Sequence, residues 1–103
     1  MRIALIQIGA RLEKEDSLAI AGGYIKKAKE QNADIAVLPE MFNCPYQTAN
    51  FPVYAEKEGG ECWKKLSQYA AENQIYLVAG SMPEKDDEEH DYNTCYVFDR
   101  EGK

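Results

Sequence analysis

A carboxylate and a thiol lie close together in the stretch DIAVLPEMFNCPY, residues 34–46. Glu40 directly follows Pro39 at the end of an apolar run at residues 35–38, and Cys44 comes four residues later. A carboxylate with a raised pKa can act as a general base near neutral pH, and a base can activate a thiol as a nucleophile. Glu40 is therefore either a catalytic base, with or without Cys44 as its partner, or a glutamate that caps a turn or pairs with an arginine.

The residues around this stretch predict a strand–helix–strand unit. Residues 3–8 form an apolar run interrupted only by Gln7, which is typical of a strand covered on both faces. From about residue 14 to residue 31, apolar and small residues recur at helical spacing, and Asn32 fits the C-terminal stop of this helix. Residues 35–38 are then a second strand, joined to the first by a right-handed parallel crossover.

Two adjacent glycines, Gly22 and Gly23, interrupt the predicted helix. A glycine inside a helix costs up to about 1 kcal/mol relative to alanine. We expect their small size to let the helix lie close against the sheet, and we prefer this explanation to a hinge.

The remaining chain continues the alternation of strands and helices. Residues 43–60, rich in Pro, Gly and Asn, predict a long loop, and long loops in compact domains are often functional. A helix is expected at about residues 61–73, followed by strands in IYLVAGSMPE (75–84) and YNTCYVFD (92–99). This order favours an α/β fold with a mostly parallel sheet. Such sheets bind ligands beyond the carboxyl ends of their strands, where Glu40 is expected.

The last residues, YVFDREGK, predict a strand that runs into a hairpin turn at residues 99–102. The sequence stops where a returning strand is expected, and two helices are too few to cover both faces of four apolar strands. We therefore expect residues 1–103 to be the first part of a larger fold. An unpaired strand edge would then be exposed as an aggregation or assembly surface.

Composition limits the class of protein. The 103 residues suffice for one domain at most, and 45% hydrophobic residues can build a core. A net charge of −6 argues against nucleic-acid binding, and no apolar stretch is long enough to cross a membrane. The three cysteines contain no CxxC pair, which favours a reduced, cytoplasmic protein with neither a metal site nor a disulfide framework. The segment IGARLEKED lacks the glycine pattern of nucleotide-binding loops, so no cofactor is expected.

Four pieces of the chain carry a resemblance to a known family. MRIALIQIGA, ADIAVLPEMFNCPY, IYLVAGSMPE and YNTCYVFDREGK occur in this order. Together they resemble the N-terminal portion of the nitrilase superfamily of carbon–nitrogen hydrolases, in its omega-amidase-like branch. The resemblance extends over essentially the whole chain, and it implies part of a four-layer α-β-β-α sandwich with a mixed, mostly parallel sheet.

The resemblance implies a Glu-Lys-Cys mechanism, with the glutamate of the LPE motif as general base. That glutamate matches Glu40. The family's lysine and cysteine motifs, of the forms RK-x-HL and G-x-x-ICYD, are absent from these residues, and we do not assign Lys103 the catalytic role. The chain alone is therefore expected to be an inactive portion of a hydrolase.

The resemblance also implies a small-molecule amide substrate, with omega-amides of dicarboxylic acids favoured over nitriles by the NCPY segment. Tyr46 is a candidate substrate-binding residue, although an aromatic that only anchors the loop explains it equally well. Members of the family usually form homodimers or larger homo-oligomers.

The three cysteines are expected to be chemically inert. Cys44 precedes Pro45, which favours an extended backbone, and it has no evident group that would lower its pKa. Cys62, on a helix face, and Cys95, on an apolar strand, are expected to be small core residues.

Three further residues have structural explanations. His90 lies in the run EKDDEEHD, where a solvated charge cluster is favoured over a metal site. Ser81 has no base nearby in the sequence to make it a nucleophile, and Asn93 is expected to satisfy backbone groups near the site. A noncatalytic α/β module for interaction or assembly is the alternative to a hydrolase.

Overall fold

A computed structural model describes residues 1–88 and 90–103. The elements are β1 Ile3–Leu5, α1 Lys14–Glu30, β2 Ile35–Val37, a 3-10 turn Thr48–Asn50, α2 Phe51–Tyr54, α3 Glu61–Asn73, β3 Tyr76–Lys85 and β4 Asp91–Phe98. The predicted order of strands and helices is confirmed, and the long loop contains two short helical turns. Glu89, which belongs to the acidic run, lies outside the described residues.

The strands form one sheet in the order β1-β2-β3-β4. β2 pairs in parallel with both β1 and β3, whereas β3 and β4 are antiparallel. Ile3, Ile35 and Tyr76 occupy one row across the three parallel strands. The prediction of an α/β fold with a mixed, mostly parallel sheet is confirmed.

The turn after β4 has the side-chain chemistry that its sequence predicts. Asp99 Oδ1 accepts hydrogen bonds from the backbone amides of Glu101 at 2.8 Å and Lys103 at 3.1 Å. Hydrogen bonds from the backbone amides of Lys103 and Glu101 hold the pKa of Asp99 below its usual value. The carboxylate thus closes the turn together with the backbone hydrogen bond from the Gly102 amide to the Asp99 carbonyl, at 3.0 Å.

The core lies between one face of the sheet and the helices α1 and α3. Ile25 of α1, Leu66 of α3 and Leu77 of β3 are completely buried there. Phe98 of β4 is buried as well and meets the ring of Trp63 edge-to-face, with 5.4 Å between the ring centroids. Within the described residues, no helix has the length and apolar character needed to span a bilayer.

The two glycines of α1 differ in their surroundings. A Cβ atom on Gly22 would lie 2.6 Å from the ring of Tyr69 in α3, whereas a Cβ on Gly23 would meet nothing within 4 Å. The absence of a side chain at Gly22 therefore allows α3 to pack closely against α1. The expectation that both glycines allow contact with the sheet is wrong, because the close approach is between helices and involves one glycine.

The other face of the sheet is open, because both helices pack on the same side. Leu5 is 81% exposed and Val97 is 63% exposed. The prediction that the first strand is covered on both faces is therefore wrong for this chain. Cys95 lies on the open face, two residues from Val97, and is exposed, so the prediction that it is a core residue is also wrong.

The glycine pair provides a test of the helix–helix contact. Gly23→Ala should raise the free energy of unfolding by about 0.5–1 kcal/mol, because alanine favours the helix. Gly22→Ala should stabilise the chain less than Gly23→Ala does, because the added methyl group must displace the ring of Tyr69. Urea unfolding monitored by circular dichroism measures both values.

Tyr69→Ala supplies the control background for this test. In that background, Gly22→Ala should become as favourable as Gly23→Ala. Equal stabilisation by both alanines in the unmodified chain would contradict the proposed contact.

Candidate active site

Glu40 lies just beyond the carboxyl end of β2. The last hydrogen bond of this strand to its neighbour runs from the Leu38 amide to the Val78 carbonyl, at 2.9 Å. Pro39 follows and has no N–H to continue the ladder. The chain therefore leaves the sheet at this point, with Glu40 exposed to solvent.

A bulge in β3 packs against the segment that carries Glu40. The register of the β3–β4 pairing shifts between Ala79 and Met82, and Gly80 has a positive φ of 50°. A Cβ atom on Gly80 would lie 2.0 Å from the Pro39 carbonyl oxygen. Only glycine allows both the left-handed backbone and this close approach. The bulge thus determines where the backbone of Pro39 can lie.

Ser81, the second residue of the bulge, holds the backbone on both sides of Glu40. Its amide donates to the Pro39 carbonyl at 3.3 Å, and its Oγ accepts from the Met41 amide at 3.0 Å. Its carbonyl accepts from the Phe42 amide at 3.2 Å. Ser81 is buried, and the part that it plays is structural support. Local sequence contains no signal for this role of Ser81, since β-bulges leave little trace beyond a glycine in a strand.

Met41 adopts a strained backbone directly after Glu40. Its φ is 50°, in the left-handed region that non-glycine residues rarely occupy. The hydrogen bond to Ser81 and the burial of the Met41 side chain stabilise this strained conformation. Backbone strain of this kind tends to be retained where it orients a functional group.

The carboxylate of Glu40 has a side-chain partner on β4. Asn93 Nδ2 donates a hydrogen bond to Glu40 Oε2 at 2.8 Å. The expectation that Asn93 satisfies backbone groups is therefore wrong, because its amide contacts the carboxylate itself. Among the described residues, Glu40 forms no ion pair with an arginine or a lysine.

Tyr46 lies in the long loop and is 67% exposed. Its ring meets Phe51 edge-to-face, with 5.6 Å between the ring centroids. This contact is compatible with either of the two explanations, an anchor for the loop or a wall of a substrate pocket. Its role in substrate binding stays a prediction.

Cys44 is buried and does not contact Glu40. Only 1% of its surface is exposed, and its Sγ lies 3.4 Å from the Pro45 carbonyl oxygen. Burial raises the pKa of the Cys44 thiol, which disfavours the thiolate. These observations agree with the prediction that Cys44 is not the nucleophile.

A second glutamate forms a cluster with a lysine and a cysteine away from Glu40. Lys14 Nζ lies 2.6 Å from Glu56 Oε2, and Cys62 Sγ lies 3.2 Å from the same oxygen. The Cys62 amide donates to Glu56 Oε1 at 3.0 Å, and Asn43 Nδ2 lies 3.2 Å from Cys62 Sγ. These contacts connect the long loop to the starts of α1 and α3.

The electrostatics of this cluster are unsuited to nucleophilic catalysis. Burial, together with the charge of Glu56, raises the pKa of Cys62 to about 12. Burial alone would raise the pKa of Glu56, but hydrogen bonds from the Cys62 amide and from Lys14 outweigh it and lower this pKa. The glutamate therefore stays charged, the thiol stays protonated, and the cluster is a structural ion pair. The prediction that Cys62 is a buried residue is confirmed.

His90 belongs to a local cluster in the acidic turn. His90 Nδ1 lies 3.1 Å from Asp86 Oδ2, and the Tyr92 hydroxyl donates to the same oxygen at 2.9 Å. A hydrogen bond from the His90 amide is the largest influence that lowers the pKa of Asp86 to about 2. In the part of the chain that the structure describes, no three histidine, cysteine, aspartate or glutamate side chains are grouped as metal ligands.

The contact between Gly80 and Pro39 can be tested with a second left-handed glycine as control. Gly59 has a φ of 81°, and a Cβ atom there would meet nothing within 4 Å. Gly59→Ala should therefore cost only the backbone strain, about 1–2 kcal/mol. Gly80→Ala should lower the free energy of unfolding by clearly more, and hydrogen exchange at the Met41 and Phe42 amides should accelerate. Equal losses of stability for the two variants would contradict the close approach.

The cysteines should differ in their reactivity toward iodoacetamide at pH 8. Cys95 is exposed and should be alkylated in the folded protein, whereas Cys44 and Cys62 should react only in urea. With a pKa of about 12, roughly one in ten thousand Cys62 thiols is ionised at pH 8. Peptide mass spectrometry identifies the modified residue, and Cys95→Ser should abolish labelling of the folded chain. Alkylation of Cys62 at the rate of Cys95 would contradict the assigned environment.

Comparison with known proteins agrees with this architecture. A family model described as carbon–nitrogen hydrolase matches residues 2–103. Omega-amidase NIT2 of Mus musculus is 48% identical over 101 residues, which are 98% of this chain and 36% of that protein. Omega-amidase NIT2-B of Xenopus laevis is also 48% identical, with the same coverage. The chain thus spans about a third of the length of these curated relatives.

Solved structures share the fold. Saccharomyces cerevisiae Nit3, a member of the nitrilase superfamily, superimposes with a TM-score of 0.90 at 33% identity, covering 98% of this chain and 40% of that one. An amidase from Nesterenkonia sp. superimposes with a TM-score of 0.86 at 28% identity, covering 100% of this chain and 40% of that one. The resemblance to the nitrilase superfamily is therefore confirmed. The chain belongs to the carbon–nitrogen hydrolase family.

Proposed function

We propose that Glu40 is the general base of a hydrolase that cleaves the carbon–nitrogen bond of a small amide. The observation that carries this proposal is the position of its carboxylate. It lies exposed at the carboxyl edge of the sheet, in a backbone held by Ser81, with one oxygen bonded to Asn93. Glu40 is also the glutamate of the LPE segment in a chain of this family.

In the proposed reaction, the Glu40 carboxylate accepts the proton of a cysteine thiol. The thiolate attacks the amide carbon, and a lysine stabilises the negative charge that develops on the oxygen. The carbon–nitrogen bond breaks, the leaving nitrogen takes up the proton from Glu40 and departs as ammonia or an amine, and a thioester remains. Water then gives a proton to Glu40 and attacks the thioester carbon. The carbon–sulfur bond breaks, Glu40 returns the proton to the departing thiolate, and the carboxylic acid is released.

The cysteine and the lysine of this reaction are assigned to no residue of this chain. Cys44 and Cys62 are buried with raised pKa values, and Lys14 is engaged with Glu56. We therefore propose that residues 1–103 contribute the base and are inactive alone. A Nesterenkonia amidase structure that contains the product of Michael addition of acrylamide at the active-site cysteine supports cysteine chemistry for a relative with this fold.

The relatives favour an omega-amide of a short dicarboxylic acid as the substrate. Both curated relatives described above are omega-amidases and are nearly half identical to this chain. We propose that Tyr46, exposed in the loop that follows Glu40, contributes to the substrate pocket. Assembly into homodimers or larger homo-oligomers is proposed only from the resemblance to the family, whose members usually form them.

A hybrid enzyme tests the role of Glu40. This chain would replace the matching 101 residues of the mouse omega-amidase, which share 48% identity with it. In an active hybrid, Glu40→Gln should lower kcat/KM for the omega-amide by about 10²–10⁴-fold, because glutamine cannot accept the thiol proton. Ammonia release measures the rate.

Glu30→Gln is the matched control, since Glu30 is an exposed residue at the end of α1, before β2 begins, whereas Glu40 follows the carboxyl end of that strand. It should leave kcat/KM unchanged. Turnover by the Glu40→Gln hybrid at the rate of the Glu30→Gln hybrid would overturn the assignment.

A further inference from the structure

We propose that Asn93 is the positioning residue for Glu40, and that it holds one oxygen of the carboxylate while leaving the other free to accept a proton. The inference rests on the proposed function for its catalytic meaning. The hydrogen bond from which it starts, between Asn93 Nδ2 and Glu40 Oε2 at 2.8 Å, is a feature of the structure.

The sheet holds the backbone of Asn93, the donor residue, in place. Asn93 lies within β4, and its Cα atom is paired with that of Pro83 in the antiparallel ladder. Ser81, which holds the backbone around Glu40, lies on the other strand of the same hairpin. One hairpin therefore fixes both the backbone of Glu40 and the direction of its side chain.

The hydrogen bond between Asn93 and Glu40 joins a neutral donor to a carboxylate. An ionised carboxylate only accepts hydrogen bonds, so the Asn93 amide must present its NH₂ group to Glu40. A neutral donor orients the carboxylate without the charge neutralisation that a lysine or arginine would bring. Among the described residues, Glu40 Oε1 has no hydrogen-bond partner, so its lone pairs are available to a proton.

Asn93 also determines the face of the sheet on which the Glu40 carboxylate lies. Side chains alternate along a strand, so residues 93, 95 and 97 of β4 share one face. Cys95 and Val97 are exposed on the open face of the sheet. Asn93 therefore draws the carboxylate of Glu40 to the side of the sheet that the helices leave uncovered.

Nuclear magnetic resonance of the 103-residue chain tests the pair directly. The side-chain amide resonances of Asn93 should shift with pH along the same curve as the carboxyl carbon of Glu40, and Glu40→Gln should abolish this shift. Asn73 is the control, since its amide donates to the Tyr69 carbonyl, which does not titrate. Its resonances should not follow the Glu40 curve.

Side-chain coupling constants then report the positioning. Glu40 should populate one rotamer in the unmodified chain and several in Asn93→Ala. The control Asn73→Ala should leave the rotamer of Glu40 unchanged. Asn93→Gln keeps the donor and should restore part of the order. Because Asn93 is exposed, Asn93→Ala should keep the fold, which the backbone amide spectrum verifies. Asn93 amide resonances that do not follow the pH curve of the Glu40 carboxyl carbon would overturn the inference. A single Glu40 rotamer in Asn93→Ala would do so as well.

The hybrid enzyme separates this inference from the proposed function. Asn93→Ala should lower kcat about tenfold while KM changes little, because a misdirected base slows the chemical step and leaves substrate binding intact. A rise in KM with kcat unchanged would overturn the positioning role alone. Full activity of the Glu40→Gln hybrid would instead overturn the proposed function, whatever the resonances of Asn93 show.

Discussion

The arrangement of the candidate site depends on one close contact, that of Gly80 with the Pro39 carbonyl. At this point β3 approaches the end of β2 so closely that a methyl group would lie 2.0 Å from the carbonyl oxygen. The bulge that begins at Gly80 brings three polar groups of Ser81 within reach of the backbone on either side of Glu40. The strained backbone of Met41 lies two residues after this contact, where the chain turns beyond Glu40.

The sheet and its helices follow from hydrophobic pattern, and this is why the sequence predicts them well. Apolar runs of strand length and a helical stripe between them define a parallel crossover. The face on which each helix packs is not contained in such patterns. Strand residues such as Leu5 and Val97 are as apolar as buried ones, so the open face cannot be predicted without the three-dimensional positions of both helices.

The candidate site was predictable only in part. Glu40 is predictable because a proline and a carboxylate end an apolar strand, and because the motif resembles that of a family. Asn93 contacts the side chain of Glu40, and Ser81 contacts the backbone beside it. These two residues lie 53 and 41 positions after Glu40 in the chain. The register of two strands and a bulge decide these contacts, and local sequence carries little information about either.

The cluster of Glu56, Lys14 and Cys62 shows why residue types alone do not define a site. It contains the same three kinds of residue as the proposed triad, within hydrogen-bonding distance of one another. Burial and the adjacent carboxylate keep its thiol protonated, with a pKa of about 12. Glu40, by contrast, is exposed and bonded to a neutral amide, so an incoming group can reach its carboxylate.

The central claim is that Glu40 accepts the proton of the attacking thiol. The most direct measurement is the formation of the acyl-enzyme during the first turnover of the hybrid, followed by intact mass spectrometry after rapid quenching. The hybrid with Glu40 intact should form a thioester, and the Glu40→Gln hybrid should form almost none in the same interval. A thioester that forms in Glu40→Gln at the unmodified rate would contradict the claim.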